Sequence, residues 1–196
     1  MQDLSQFDPT AFDRGASRFK EALWVLLRCI FFTPAFPWPS CLRAALLRGF
    51  GAKVGQGVVL RSRVTIWFPW RLTLGDYVWL GEEVFILNLA SVAIESNVCV
   101  SQRAFLCTGS HDYTSSAFDL ITKPIGVERG AWIGANAFVS PDVTVGTHAV
   151  LTAGSVATKD LQPYGIYQGN PAVLIKKREF GNAEKLTGAN AEKLKS

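Results

Sequence analysis

The chain has 196 residues, of which 48% are hydrophobic and 18% charged, with a net charge of +4. This composition suits one globular domain with short additions and excludes a disordered or collagen-like chain. The longest apolar run, residues 22–32, contains Arg28 and is eleven residues long, whereas a membrane span needs about 20 apolar residues. The run also follows Asp3, Asp8 and Asp13, where a signal peptide carries basic residues. We therefore expect a cytoplasmic protein.

The four cysteines, Cys29, Cys41, Cys99 and Cys107, form no CxxC pair and have no metal-ligand spacing. In a reducing compartment such residues are typically free thiols. We predict four buried or half-buried free cysteines and no metal site.

Positive charge is concentrated towards the N-terminus. Residues 14–63 contain nine Arg or Lys residues and one acid, Glu21, for a net charge of +8, whereas residues 64–157 carry −4 from four bases and eight acids. A basic segment that is also aromatic and aliphatic indicates peripheral contact with an anionic membrane surface or an acidic substrate. The alternative is that these arginines only decorate a capping helix. No nucleic-acid-binding motif accompanies the charge, so we expect no nucleic-acid partner.

Two helices are expected in this basic region. Residues 17–32 place Trp24, Leu27 and Phe31 at helical spacing, and three prolines follow. Residues 40–50 predict a second, shorter helix.

Residues 54–162 repeat with a period of six. An aliphatic residue returns at every sixth position, with two-residue slips at Leu72-Thr73 and Val92-Ala93 that lengthen corners, and one longer interruption. These aliphatic positions are Val54, Leu60, Ile66, Leu74, Leu80, Ile86, Ile94, Val100, Leu106, Val127, Ile133, Val139, Val145, Leu151 and Ala157. The side chain four positions later is usually Val, Ala or Ser, and glycine often follows the aliphatic residue.

This pattern is typical of short strands separated by tight corners. Three strands make one coil, and stacked coils bury a continuous aliphatic column. The repeat therefore predicts an all-β solenoid, a parallel β-helix of triangular cross-section spanning residues 54–162. Residues 1–53 are predicted to be an N-terminal helical cap that faces a membrane or the acceptor. Residues 163–196 are predicted to be a C-terminal turn, a closing segment and a polar tail.

The longer interruption, at about residues 109–124, is predicted to be the active-site loop, because long loops inside repeat arrays are often functional. It begins beside His111, and an imidazole can take a proton from an attacking hydroxyl. The other histidine, His148, falls within a regular hexapeptide, where we expect an ordinary outward position. Ser110 and Cys107 lie near His111 but lack a nucleophile elbow, so no acyl-enzyme is expected.

Two stretches carry a family resemblance. Residues 132–178 resemble the coenzyme A-binding half of the maltose, galactoside and nodulation-factor O-acetyltransferases; they read WIGANAFVSPDVTVGTHAVLTAGSVATKDLQPYGIYQGNPAVLIKKR. Residues 86–113 are similar to the O-acetyltransferases of colanic acid and related exopolysaccharide synthesis; they read ILNLASVAIESNVCVSQRAFLCTGSHDY. The resemblance covers about residues 14–178. It implies a left-handed parallel β-helix of hexapeptide repeats, a homotrimer with sites between subunits, and acetyl-CoA as the donor without a metal.

The same resemblance implies direct acyl transfer with His111 as the general base. A carboxylate or a backbone carbonyl often orients such a base, and Asp112 and Asp119 are the nearest candidate carboxylates. Asn88 matches a region where related enzymes use an asparagine, so it could hydrogen-bond the acceptor. An asparagine that stabilises a tight corner is the equal alternative.

For coenzyme A, the resemblance implies five contact positions. These are the aromatic Trp132 beside the pantetheine arm, the small residues Ala135 and Ala153 whose backbone binds it, and Thr158 and Lys159 near the adenosine end.

One departure from the related enzymes affects the 3′-phosphate. They often carry an arginine where this chain has Val173. Lys176, Lys177 or Arg178 is the expected replacement.

We therefore predict an O-acetyltransferase that acts on a sugar hydroxyl of an exopolysaccharide or its lipid-linked precursor, beside the inner face of the membrane. One alternative is an acetyltransferase for another small acceptor, such as an amino sugar, a nodulation-type oligosaccharide or an antibiotic. A second is a non-catalytic scaffold. A γ-type carbonic anhydrase, on the same solenoid, needs three histidines for its zinc, and this chain has two.

Overall fold

The computed structural model describes residues 3–8, 10 and 12–181. Two helices precede the strands, α1 (Arg18–Phe31) and α2 (Ser40–Gly49), and they confirm the two helices predicted from the sequence. A single 3-10 turn, Pro69–Arg71, lies within the solenoid.

The described strands are short and are numbered in chain order. They are β1 (Lys53–Val54), β2 (Val59–Leu60), β3 (Thr65–Ile66), β4 (Leu72–Leu74), β5 (Trp79–Leu80), β6 (Phe85–Leu87), β7 (Val92–Ile94), β8 (Cys99–Val100), β9 (Phe105–Cys107), β10 (Gly109–His111), β11 (Leu120–Thr122), β12 (Ile125–Val127), β13 (Trp132–Ile133), β14 (Phe138–Val139), β15 (Thr144–Val145), β16 (Val150–Leu151), β17 (Val156–Ala157), β18 (Gly165–Gly169) and β19 (Ala172–Lys177).

Three parallel sheets form the sides of a triangular prism. Sheet A holds β1, β4, β7, β12 and β15; sheet B holds β2, β5, β8, β13, β16 and β18; sheet C holds β3, β6, β9, β14 and β17. The chain runs from A to B to C and back to A through about 6 turns. The predicted parallel β-helix is confirmed.

The corners take their names from the sheets that they join. The B–C corners that matter below are residues 134–137 and 152–155. The C–A corners are residues 67–71, 88–91, 108–124, 140–143 and 158–160.

The predicted aliphatic column is the core of the prism. Of its fifteen positions, Val54 is half-buried at the open first coil, and each of the other fourteen is at most 2% exposed. Leu161, which continues the column, is 3% exposed. Full burial of one such side chain contributes roughly 1.5–3 kcal/mol. The column is therefore the main source of stability.

The two slips lengthen C–A corners, as predicted, but slightly earlier in the chain than predicted. Leu72 begins β4 and Val92 begins β7, and both side chains are buried. The extra residues lie in corners 67–71 and 88–91. At Gly134, in a B–C corner, an added Cβ would lie 2.5 Å from the backbone nitrogen of Ala153 in the next coil, so only glycine allows the coils to stack.

Helix α1 seals the first coil through a buried tryptophan. The Ser17 side chain caps the helix by accepting from the backbone N–H of Lys20. Trp24 is fully buried, and its indole N–H donates to the Ile66 carbonyl at 3.0 Å. Its ring packs against Phe32 and Phe50, with centroids 5.3 and 5.2 Å away. The cap is therefore tied to the end of sheet C.

Helix α2 is held by a buried arginine. The Arg43 guanidinium donates to the carbonyls of Phe31, Leu60 and Phe36 at 2.8, 2.9 and 3.0 Å. It joins the end of α1, the loop that follows it and strand β2.

At the other end, β19 pairs antiparallel with β18. The predicted polar tail falls mainly on residues 182–196, which lie outside the described residues. The domain boundaries at residues 53 and 162 stay predictions. Within the described ranges, no helix is both long and apolar enough to cross a bilayer.

All four cysteines are free. Cys107 is buried and Cys99 half-buried, as expected, and burial raises the pKa of the Cys99 thiol. The prediction is wrong for Cys29 and Cys41, which are exposed because the outer faces of α1 and α2 are turned to solvent.

Candidate active site

The loop predicted at residues 109–124 is an antiparallel hairpin of β10 and β11 at a C–A corner. His111 lies opposite Leu120, and the backbone N–H of Asp112 donates to the Asp119 carbonyl at 2.8 Å. The hairpin leaves the solenoid here, so half-buried His111 lies outside the aliphatic column.

The backbone carbonyl of Phe118 orients the imidazole. Nδ1 of His111 lies 2.8 Å from the Phe118 oxygen. A carbonyl oxygen can only accept, so the neutral ring carries its proton on Nδ1 and its lone pair on Nε2. The Phe118 ring stacks on the imidazole, with centroids 4.2 Å apart and planes 6° apart. This tautomer is the one that a general base acting through Nε2 requires.

The two carboxylates predicted as orienting groups bond within the hairpin instead. The hydroxyl and backbone N–H of Thr114 donate to Asp112 at 2.6 and 2.9 Å and hold the pKa of this carboxyl below its ordinary value. The Ser115 hydroxyl donates to Asp119 at 2.7 Å. Both carboxylates shape the turn, so the structure corrects the prediction: the orienting group is the Phe118 carbonyl.

The N-terminal segment, defined by its described residues 3–8, 10, 12 and 13, lies against this hairpin. The backbone N–H of Asp3 donates to the Ser116 carbonyl at 2.9 Å. The ring of Phe7 lies 5.7 Å from the imidazole of His111.

A cavity of about 340 Å³ lies between the N-terminal segment, corner 67–71 and β11. Its lining includes Asp8, Asp13, Arg71, Asp119 and Leu120. Leu120 and His111 are directly opposite in the antiparallel pair, and such residues project from the same face of a sheet. His111 therefore lies on the same face of the hairpin as Leu120, which lines the cavity.

Asn88 lies in the preceding C–A corner and is fully buried. Its side-chain oxygen accepts from the Phe68 backbone N–H at 2.9 Å, and its side-chain nitrogen donates to the Phe68 carbonyl at 2.6 Å. Of the two predicted roles, the structure supports the corner and not contact with an acceptor.

We expect Asn88→Leu to lower the free energy of unfolding by at least about 2 kcal/mol, because it leaves two buried backbone groups of Phe68 unpaired at about 1–3 kcal/mol each. Urea denaturation measures this loss. Asn97→Gly is the control, since Asn97 is exposed with φ 62° and glycine tolerates this conformation. Unchanged stability with a raised KM for the acceptor would instead favour acceptor binding.

The residues predicted to bind the pantetheine arm lie on sheet B and the B–C corners. Trp132 is 47% exposed on β13, and its indole N–H donates to the Ser101 hydroxyl at 2.8 Å. Ala135 and Ala153 occupy successive B–C corners, where the backbone N–H of Gly154 donates to the Ala135 carbonyl at 2.8 Å. Small side chains leave the backbone of these corners accessible.

Thr158 and Lys159, predicted near the adenosine end, are exposed at the last C–A corner. They lie two strand spacings from the corner of His111, about 10 Å at about 4.8 Å each.

The three candidates for the 3′-phosphate contact differ in their surroundings. The Arg178 guanidinium donates to the carbonyls of Gly130 and His148 at 3.1 and 3.2 Å, so it has a structural role. Lys176 and Lys177 are exposed on β19. These two lysines therefore remain the better candidates.

The other potential nucleophiles and bases have ordinary surroundings. His148 packs between Tyr164 and Phe180, each with its ring centroid 5.1 Å away. Cys107 is buried, with its thiol on the Gly109 carbonyl at 3.2 Å, and Ser110 is exposed.

A single chain does not bring all predicted site residues together. Trp132, Ala135 and Ala153 lie on sheet B and its corner with sheet C, whereas His111 lies at the far corner of sheet C. One side of the prism, about five residues at about 3.3 Å each, separates them by on the order of 15 Å.

Two groups of the candidate site were not predicted from the sequence. The Phe118 carbonyl has no sequence signal, because its direction depends on a left-handed φ of 56°. Arg71 was not singled out from the sequence, because nothing local indicated that the N-terminal segment would cover it.

Among the described residues, no three His, Cys, Asp or Glu side chains are placed to hold a metal ion.

Known proteins resemble this chain in sequence and in structure. It is 41% identical over 182 residues to the "Putative colanic acid biosynthesis acetyltransferase WcaF" of Escherichia coli, which covers 91% of this chain and 98% of that protein. The crystal structure of a hexapeptide-repeat-containing acetyltransferase from Vibrio cholerae matches with a TM-score of 0.74 and 25% identity, over 83% of this chain and 92% of that one. The same Vibrio protein complexed with acetyl coenzyme A matches with a TM-score of 0.75 and 24% identity, over 85% and 92% of the two chains. No protein-family model matches the chain.

Proposed function

Because this chain belongs to the hexapeptide-repeat acetyltransferases, we propose that it moves an acetyl group from acetyl-CoA to a sugar hydroxyl of an exopolysaccharide or its lipid-linked precursor. The class of enzyme, an acetyltransferase that uses acetyl-CoA, follows from the named relatives. The sugar acceptor is the finer part of the proposal. The colanic acid relative supports it by its name and by its length of match.

The observation that carries the proposal is the tautomer of His111. With Nδ1 bonded to the Phe118 carbonyl, Nε2 accepts the proton of the attacking hydroxyl. The sugar oxygen forms a bond to the acetyl carbonyl carbon, and the carbon–sulfur bond of the thioester then breaks. The imidazolium returns its proton to the departing thiolate, so the ring ends neutral. A positioned base of this kind contributes typically 10²–10⁴-fold.

On the donor side, the proposal assigns the pantetheine arm to Trp132, Ala135 and Ala153. Thr158 and Lys159 lie near the adenosine end. The exposed Lys176 and Lys177 supply point charges for the 3′-phosphate.

On the acceptor side, the proposal assigns the sugar to the cavity that is lined by Leu120, the residue opposite His111 in the hairpin. Three carboxylates, from Asp8, Asp13 and Asp119, and one guanidinium, from Arg71, line it. Such groups suit sugar hydroxyls, because carboxylates accept and the guanidinium donates. The excess of negative charge disfavours an anionic sugar.

We further propose a homotrimer with each site between subunits. The donor residues and His111 lie on different corners of one chain, so a second copy is needed to complete a site. The outer face of sheet C supports such contact, because Phe85, Phe105 and Phe138 form a row of edge-to-face rings there, with centroids 4.9 and 5.1 Å apart. An apolar groove of about 630 Å³ adjoins two of these rings and Trp67.

The location proposed for the reaction is the cytoplasm, beside the inner leaflet, where lipid-linked sugars lie. The net charge of +8 in residues 14–63 supports this.

The test is thiol release from acetyl-CoA with a panel of neutral sugars, amino sugars and uronic acids. The exposed Cys29 and Cys41 react with Ellman's reagent, so the assay uses Cys29→Ser, Cys41→Ser protein. We expect release that depends on a neutral sugar and is weak with uronic acids, with an acetyl ester as the product.

Three results would contradict this. An N-acetyl product from an amino sugar would favour the alternative acceptor class. Binding of acetyl-CoA by calorimetry without release on any sugar would remove the sugar acceptor. Absence of acetyl-CoA binding would favour a non-catalytic scaffold.

A further inference from the structure

The outer face of α1 is apolar along its whole length. Its exposed large side chains include Phe19, Leu23, Leu26 and Ile30, with exposed fractions of 79%, 39%, 56% and 45%. The spacing of four, three and four residues aligns them on one stripe. The helix has 14 residues, so the stripe is about 20 Å long at about 1.5 Å per residue.

This stripe is not part of the core. Trp24, on the opposite face of α1, is the buried anchor of the cap. The stripe therefore faces away from the solenoid, and a water-exposed helix normally carries charged residues there.

The exposed charge on α1 itself is positive. Of the residues that α1 exposes, only Arg18 is charged. Lys53, in β1, is also exposed, as is Arg48 at the end of α2, whose guanidinium donates to the carbonyls of Val54 and Gly55 at 3.0 and 2.7 Å. The one acid between residues 14 and 63, Glu21, is paired with Arg14.

We propose that the α1 stripe binds an anionic lipid surface, with its apolar side chains at the acyl boundary and Arg18 among the headgroup phosphates. An amphipathic helix with an apolar face and basic surroundings is suited to lie in the interfacial plane. A second copy of this chain fits less well, because a twofold contact through the stripe brings two positive caps together.

The geometry also connects this surface to His111. In sheet C, β3 at the cap end and β9 before the hairpin are separated by β6, so two spacings of about 4.8 Å place the hairpin about 10 Å further along the solenoid. Along the solenoid axis the cap and the hairpin are therefore close, which suits an acceptor anchored in the same membrane. This consequence rests on the proposed function, whereas lipid binding does not.

Flotation with vesicles of phosphatidylcholine, with and without phosphatidylglycerol, tests the surface on the full-length protein. We expect the protein to bind the phosphatidylglycerol vesicles. This binding should weaken at high salt, because dissolved ions screen the electrostatic attraction. Leu26→Asp should reduce binding about tenfold or more, since it places a charge in the stripe. Ile175→Asp is the matched control, because Ile175 is 54% exposed on β19, and it should bind like the parent.

Thiol release with a water-soluble sugar distinguishes the lipid-binding proposal from the proposed acetyl transfer. Leu26→Asp should leave the rate of this thiol release unchanged. Equal binding by parent and Leu26→Asp would overturn the proposal, as would absence of binding to anionic vesicles. If Leu26→Asp instead dissolves a larger assembly seen by light scattering without lipid, the stripe is a protein interface and the lipid proposal fails.

Discussion

His111→Asn is expected to lower kcat for acetyl transfer by about 10²–10⁴-fold, the usual contribution of a positioned general base. Asparagine keeps a polar side chain of similar reach but has no lone pair that can take a proton at neutral pH. Because the donor residues lie elsewhere on the prism, the KM for acetyl-CoA should change little. Steady-state thiol release with the best sugar gives both constants.

His148→Asn is the matched control. His148 has a φ of 57°, which asparagine tolerates, and it packs on Tyr164 and Phe180 away from the hairpin. Its activity should equal that of the parent. If His111→Asn retains activity, the base is another group, and the hairpin carboxylates Asp112 and Asp119 become the next variants to test.

Trp24→Ala should have the largest effect on stability, a loss of about 3–5 kcal/mol in the free energy of unfolding. The substitution empties the space between Phe32 and Phe50. It also removes the hydrogen bond to the Ile66 carbonyl, which is worth about 1 kcal/mol. Urea denaturation followed by circular dichroism measures the change.

Trp132→Ala is the matched control for Trp24→Ala, because it makes the same substitution at a surface site. Trp132 is 47% exposed, so its loss should reduce stability by about 1 kcal/mol or less, while weakening acetyl-CoA binding under the proposed donor site. A change below about 1 kcal/mol for Trp24→Ala would mean that the cap contributes little to the fold.

The agreement between sequence and structure is closest where the pattern is local. A hexapeptide repeat predicts the aliphatic column, because each coil meets the same packing requirement six residues later. It also located the hairpin, since the repeat stops there. The helices of the cap followed from their spacing and from the prolines between them.

The disagreements arise where distant segments meet. The sequence left two possible roles for Asn88. Its hydrogen bonds to Phe68, 20 residues earlier, support the role in a corner. Cys29 and Cys41 were expected to be buried, but their burial depends on which face of each helix meets the solenoid.

By itself, the sequence determined the β-helix and the order of its parts, because these depend on periodic packing and on residue type. It also predicted His111 as the candidate base. Only the tertiary structure decided which atom orients His111, since the Phe118 carbonyl reaches it through one left-handed residue. The tertiary structure also placed the N-terminal segment against the hairpin and along the cavity that Arg71 lines. It further showed that Trp132, Ala135 and Ala153 lie at a different corner of the prism from His111. The last two features depend on contacts between residues far apart in the chain, and such contacts leave no local pattern.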